Sequence, residues 1–271
     1  MYLTDYHTHS RCSPDGSAPL EEMLLGAKRA GLRELCLTDH CDLLDMGGKP
    51  DASFRWRPIE EEFARAEDTS RKLGVTLRWG LELGEGWEEP ALAAAITAHP
   101  KLDFVIGSAH NLCREDGGLD FYFVDYKDEA ACHKVLAAYM TCLARLAEDD
   151  SCDVLGHIIY PLRYMNGRDG NRVSLKPYWG RLEEILRTAI RRGKGIEVNT
   201  CRGETVEDWR EILALYRDCG GEIVTLGSDA HRPEDVGAGI PQAARILREY
   251  GFSLAVYEKR RVKFIKLEGE T

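Results

Sequence analysis

Residues 18–40 read "APLEEMLLGAKRAGLRELCLTDH", and their reading decides the fold. The first half carries apolar residues at helical spacing and closes on Gly31. The second half is an apolar run that stops on Asp39 and His40. A helix that hands over to a buried strand, with polar groups at the strand's exit, is one unit of an alternating α/β chain. Two side chains that bind cations well stand at the lip of that strand.

Working outward, the unit recurs. Strands are expected at "YLTDYH", "ELCLTDH", "VTLRWGLELG", "DFVIGSAH", "DVLGHI", "GIEVNT" and "EIVTLGSD". Segments of helical period lie at 18–31, 58–74, 89–98, 128–149, 175–193, 205–220 and 232–251. Ser17 is expected to cap the first of these and Gly31 to stop it. The tail at 252–269 reads as a closing pair of extended segments. Seven α/β units follow, and 271 residues with 44% hydrophobic content suffice for one large domain over 1–271.

A formal charge of -10 argues against a surface for nucleic acid, whose affinity rests on Lys and Arg neutralising phosphates. Nine cysteines, with no CxxC pair, do not form a disulfide framework. The start "MYLTDYHTHSRCSPDG" lacks the features of a secretory signal, and no apolar run approaches the ~20 residues of a membrane span. A reduced, cytoplasmic protein without membrane partners is expected. Cys41 and Cys201 lie beside polar motifs without a neighbouring base in sequence, so both are read as buried or bystander thiols.

In a parallel barrel the chemistry sits at the C-terminal ends of the strands. Six of the eight histidines fall on such ends: His7, His9, His40, His110, His157 and His231. Asp39, Glu82 and Asp229 accompany them, with Asp15 one short loop after the first strand. His99 and His133 fall in or after helices and are assigned to structure. In His7-Thr8-His9 the period of two turns both rings to one side of a strand, and Asp229-Ala230-His231 repeats the spacing. Ligands that are all nitrogen and oxygen suit Zn, Mn or Fe, and so many candidates imply more than one ion. The long connections 41–57 and 111–127 are the expected walls of the pocket.

At "DYHTHS", "LTDH", "GLELGE", "GSAH", "LGHI" and "GSDAH", in this order, the chain resembles the PHP (polymerase and histidinol phosphatase) superfamily. The resemblance covers essentially the whole chain and implies a distorted (β/α)7 barrel with a trinuclear centre. It assigns His7, His9, Glu82 and Asp229 to a first ion, with Glu82 bridging to a second held by His110 and His157. The third would take Asp15, His40 and His231. Asp39 is placed behind His40, orienting that ring.

Within the superfamily, the stand-alone length, Arg163 in "GHIIYPLRY" and Arg202 in "GIEVNTCRG" are similar to the histidinol-phosphate phosphatase branch, where such arginines grip phosphate. The implied activity is hydrolysis of a small phosphomonoester, L-histidinol phosphate first, by attack of a hydroxide held between two divalent ions. Glu82, Asp229 and His231 are the residues expected at the reacting centre, and the proton donor to the leaving alkoxide is open. Another small monoester, or a nucleic-acid end, is the alternative. An amidohydrolase is disfavoured because Glu82 stands where such enzymes place a modified lysine. The acidic residues Asp42, Asp45, Glu115, Asp116 and Asp120 are read as surface charges, of which one or two could receive the cationic groups of the alcohol. The oligomeric state is not encoded in any motif.

Overall fold

The computed structural model describes residues 1–267. Parallel strands alternate with outer helices. The strands are β1 (Thr4–Thr8), β2 (Glu34–Leu37), β3 (His40–Asp42), β4 (Thr76–Gly84), β5 (Phe104–Ser108), β6 (Val154–Leu155), β7 (Gly195–Asn199) and β8 (Val224–Gly227). Their order is β1-β2-β4-β5-β6-β7-β8, and β3 pairs β4 beyond the end of β2. The expected strand "ELCLTDH" is therefore β2 and β3, interrupted at Thr38 and Asp39. Seven positions around the ring match the seven units read from sequence.

The ring nearly closes at its seam. Thr8 and Ala230 form an isolated parallel bridge, His9 N–H donates to the Ala230 carbonyl at 2.9 Å, and Asp229 N–H donates to that of His7 at 2.9 Å. Buried Asp5 fastens the same seam by accepting from the N–H groups of Ser228 (2.9 Å) and Gly237 (2.9 Å). These bonds satisfy backbone groups that an open sheet edge would leave unpaired.

The helices are α1 (Leu20–Arg29), α2 (Trp56–Leu73), α3 (Pro90–Thr97), α4 (Glu129–Glu148), α5 (Tyr160–Leu162), α6 (Trp179–Arg191), α7 (Trp209–Asp218) and α8 (Ile240–Glu249). The longer ones cover the outside by an apolar face, whereas the short α5 lies at the cavity, which Tyr160 lines. In α6, for example, Leu182, Ile185, Leu186 and Ala189 are buried at helical spacing. Gly31 ends α1 with φ +72°, as expected of a residue free to turn left-handed. Ser17 does not cap α1. Pro19 occupies the cap position, Ser17 donates to the His231 carbonyl, and Glu62 of α2 accepts the Leu20 N–H at 2.9 Å. The last helix begins only at Ile240, because 232–239 is a loop that turns through Gly237 and Gly239 at positive φ. The tail is an antiparallel hairpin of β9 (Leu254–Glu258) and β10 (Arg261–Ile265); positions 268 and 269 of the expected segment lie outside the described residues. Among the described residues no helix is long and apolar enough to cross a membrane.

Candidate metal centre

Strand register assembles the site. β1 delivers His7 and His9, and the seam sets them beside Asp229 and His231. Register pairs His40 of β3 with Glu82 of β4, bringing His40 Nδ1 within 3.0 Å of Glu82 Oε2. His110 follows β5 and His157 follows β6. Glu82 sits among them, 3.2 Å from His7 Nε2, 3.5 Å from His9 Nε2, 3.2 Å from His110 Nε2 and 3.5 Å from His157 Nε2. All six strand-end histidines and Glu82 thus share one end of the barrel. His99 stacks on Trp56 and His133 meets Tyr178, both away from the cluster, as expected of structural histidines.

Hydrogen bonding fixes which ring nitrogen carries a proton. His7 Nδ1 lies 2.6 Å from Glu197 Oε1, His157 Nδ1 3.1 Å from Glu197 Oε2, and His110 Nδ1 2.9 Å from Asp42 Oδ1. A carboxylate only accepts, so each Nδ1 must be the donor. His231 Nδ1 donates in the same way to the Asp229 carbonyl at 3.0 Å. Ser13 completes the set: its hydroxyl donates to Asp39 at 2.8 Å and accepts from His9 Nδ1 at 3.0 Å.

Held this way, the neutral form of each of these five rings turns a bare Nε2 lone pair inward. His7 Nε2 then faces His9 Nε2 at 3.0 Å, His110 Nε2 faces His157 Nε2 at 3.2 Å, and His231 Nε2 faces Asp15 Oδ2 at 2.9 Å. Acceptor against acceptor repels unless a cation stands between them. Glu82 Oε2, His40 Nδ1 and His231 Nε2 are buried without a hydrogen-bond partner although His40 and His231 lie at ion-pair distance from Glu82 and Asp15, an arrangement that fits metal ligands. Side chains able to hold one ion together include His7, His9 and Glu82; Glu82, His110 and His157; and His9, His40 and His231.

Electrostatics agree. Burial disfavours charge on His7, but Glu197, Glu82 and Asp229 outweigh it and raise its affinity for a proton well above the usual range. His110 is raised likewise by Glu82 and Asp42 against burial. Burial also opposes ionisation of Glu82, yet His7, His40 and His110 hold it far below the usual carboxylate range. His9, buried and beside His40, drops to about 3. The pocket is an anionic field in search of positive charge.

A cavity of about 760 Å³ opens over the cluster, lined by His40, Glu82, His110, Arg163, Arg202 and Asp229 among others. Arg163 is mostly buried and donates to Asp229 Oδ2 at 2.8 Å and Asn199 Oδ1 at 2.6 Å, whereas Arg202 is exposed at the rim. Asn199 is steadied in turn by the indole N–H of fully buried Trp209, which donates to its carbonyl at 2.7 Å. Both long connections line the cavity, through Leu44, Asp45, Met46 and Asp51 on one side and Asn111, Asp120, Tyr122 and Phe123 on the other. They touch where Gly48 meets Gly118; a Cβ on Gly48 would lie 2.6 Å from Gly118 Cα.

Asp39 reaches a different ring from the one expected. Its oxygens accept from Ser10 and Ser13, so it steadies His9 through the Ser13 hydroxyl and meets His40 only through the backbone N–H that Ser13 accepts. Of the acidic loop residues, Asp42 belongs to the centre through His110. Asp45 closes a turn by accepting from Gly47 and Lys49, Glu115 pairs with Arg145, and Asp120 accepts the Tyr122 N–H at 2.7 Å. Neither Glu197 nor Ser13 is among the residues that the strand-end pattern marks. A carboxylate inside the apolar run "GIEVNT" was the available signal for Glu197. Cys41 and Cys201 are buried, as expected of bystanders.

Known proteins share this architecture. The chain is 28% identical over 264 residues to a "Probable histidinol-phosphatase" of Clostridium acetobutylicum, covering 96% of this chain and 98% of that one. It is also 28% identical over 259 residues to a "Histidinol-phosphatase" of Lactococcus lactis, covering 93% of each. Among solved structures, the histidinol phosphate phosphatase of Lactococcus lactis, complexed with zinc, L-histidinol and phosphate, superposes with a TM-score of 0.81 at 23% identity, over 96% of this chain and 98% of that chain. The PHP domain profile matches residues 5–201, the stretch that supplies five of the six strand-end histidines together with Glu82, and the chain belongs to the PHP domain family.

Proposed function

We propose that this chain is a metal-dependent phosphomonoesterase that hydrolyses L-histidinol phosphate to L-histidinol and phosphate. The observation that carries the chemistry is the set of inward Nε2 lone pairs around partnerless Glu82 Oε2. His7, His9, Glu82 and Asp229 would hold one divalent ion, Glu82, His110 and His157 a second, and Asp15, His40 and His231 a third. Zinc, manganese and iron all suit these donors. Bound there, such ions supply the Lewis acidity that deprotonates an attacking water and neutralises phosphoryl oxygens.

The chain's own groups do the rest. Arg163 is held by Asp229 and Asn199 with its Nε free of protein partners, so its guanidinium is set in advance at the mouth of the centre. A donor fixed beforehand spends little on reorganisation when charge builds on phosphoryl oxygens. Arg202 adds positive charge at the rim. On the alcohol side, Asp51 and Asp120 offer carboxylates, and Tyr122, Phe123, Tyr160 and Tyr164 offer aromatic faces to an imidazole. The names borne by the Clostridium and Lactococcus relatives support histidinol phosphate over other monoesters.

Comparison of three esters tests the reading. With the metal-loaded protein, kcat/KM for L-histidinol phosphate should exceed that for p-nitrophenyl phosphate by at least about tenfold, roughly 1.4 kcal/mol of discrimination. Bis-p-nitrophenyl phosphate should be poorest, since a diester has one negative charge fewer and a second arm. Preference for the diester or for an oligonucleotide would move the chain to a nuclease role. Equal use of the two monoesters would leave phosphatase chemistry without the histidinol assignment.

A further inference from the structure

We propose that Glu197 is a positioning residue shared by two metal sites, keeping a proton on Nδ1 of both His7 and His157 so that each ring turns a bare Nε2 to the cavity. The inference rests on the metal reading above and concerns how that centre is built.

One carboxylate serves both rings with separate oxygens. Oε1 lies 2.6 Å from His7 Nδ1 and accepts from Asn199 Nδ2 at 3.1 Å; Oε2 lies 3.1 Å from His157 Nδ1 and accepts the His157 backbone N–H at 2.8 Å. Glu197, His7 and His157 are each no more than 1% exposed, so no water replaces these contacts. Room for the carboxylate is reserved by Gly227 on the neighbouring strand. A Cβ there would stand 2.4 Å from Glu197 Oε1 and 2.4 Å from His7 Cβ.

Replacing the carboxylate with an amide should break the symmetry in a defined direction. The substitution Glu197→Gln leaves one oxygen and one donor NH2. The His157 backbone N–H is a donor that cannot reverse, so the amide oxygen belongs on that side, where it serves both His157 groups. The NH2 then faces His7 Nδ1, which must become an acceptor. A neutral imidazole that accepts at Nδ1 carries its proton on Nε2, and that nitrogen ceases to be a ligand. Glu197→Gln should therefore disable His7 and spare His157.

The test uses the whole protein, reconstituted with zinc, which is diamagnetic. Two-bond ¹⁵N–¹H spectra should show Nδ1–H and a zinc-shifted Nε2 for both His7 and His157 in the unsubstituted protein. In Glu197→Gln, His7 should change to Nε2–H without zinc while His157 is unaltered, and zinc affinity of the His7 site should fall about 10–100-fold. Gly227→Ala, which keeps the charge but crowds Oε1, should also loosen the His7 site. An unchanged His7 with full zinc in Glu197→Gln would overturn the proposal alone. So would a zinc-shifted Nδ1 in the unsubstituted protein, because Glu197 would then stand beside a ligand nitrogen instead of a donor; that spectrum decides the matter even if the variants do not fold. Failure of the unsubstituted protein to take up zinc, manganese or iron would remove the metal reading itself.

Discussion

Gly84→Ala offers a sharp test of how the centre is supported, because the change lies outside the ligand set. A Cβ on Gly84 would stand 2.2 Å from Asp42 Oδ1, 3.1 Å from its Cγ and 3.3 Å from its Cα. Ordinary contact begins near ~3.5 Å, so Oδ1 must retreat by roughly 1 Å or more. Oδ1 is the atom 2.9 Å from His110 Nδ1, and that retreat carries the pair beyond hydrogen-bond range. Asp42 is 34% exposed and can swing toward water, so the strain relaxes and stability should fall by only about 1 kcal/mol, the low end for overpacking. Freed from Asp42, His110 loses its fixed tautomer, and affinity for the ion it shares with His157 should drop about 10–100-fold. Competition with a chromophoric chelator measures the affinity, and thermal unfolding of the metal-stripped protein measures the stability. Gly180→Ala is the control, since nothing lies within 4 Å of its Cβ and its place in the first turn of α6 should make the exchange neutral or slightly stabilising, by less than ~1 kcal/mol. Unaltered metal affinity in a well-folded Gly84→Ala would refute the role given to Asp42.

Glu82→Gln should lower both metal content, by elemental analysis, and turnover, since an amide offers one neutral oxygen where two anionic ones face the histidines. Asp15→Ala should deplete the ion near His40 and His231 first and leave most of the metal near His7 and His110; equal loss everywhere would show that the sites fill cooperatively. Glu62 gives a pH signature: burial opposes its charge, but Leu20 N–H, Arg65 and Arg11 outweigh this and hold it below its ordinary 4.5. Its stabilisation is present above the unfolded value and is lost as pH falls through the folded one, so Glu62→Gln should cost about 1–3 kcal/mol at pH 7 by chemical denaturation, and the gap should close on acidification.

The fold was legible in sequence because each strand carried an apolar run ending on a polar residue. "DFVIGSAH" and "GIEVNT" mark β5 and β7 to within two residues. Interruption of β2 was not legible, since Thr38 and Asp39 look like strand until register with β4 is known. Histidines at strand ends announced the centre. Their supports were hidden: Glu197 meets His7 across 190 positions of chain, and the service of Ser13 to His9 depends on which way a hydroxyl points. Gly84 and Gly227 stand within motifs, yet their reason is the carboxylate that each lets pass, which only packing reveals. The expected pairing of Asp39 with the His40 ring failed because Asp39 lies in the break between β2 and β3, where Ser10 and Ser13 take up both of its oxygens.

The seam between Thr8 and Ala230 has a consequence for biosynthesis. A ribosome releases His7 early and Asp229 late, and at ordinary elongation rates roughly ten to forty seconds separate them. During that interval the nascent chain comes to carry five of the six strand-end histidines and Glu82 but neither Asp229 nor His231. The proposed sites that draw on Asp229 and His231 would stay incomplete until the last strand arrives, whereas Glu82, His110 and His157 are all in place by residue 157. A prematurely terminated product, lacking the closing strand, would leave the seam at Thr8 unsealed and would retain every ligand of only one proposed site, that of Glu82, His110 and His157.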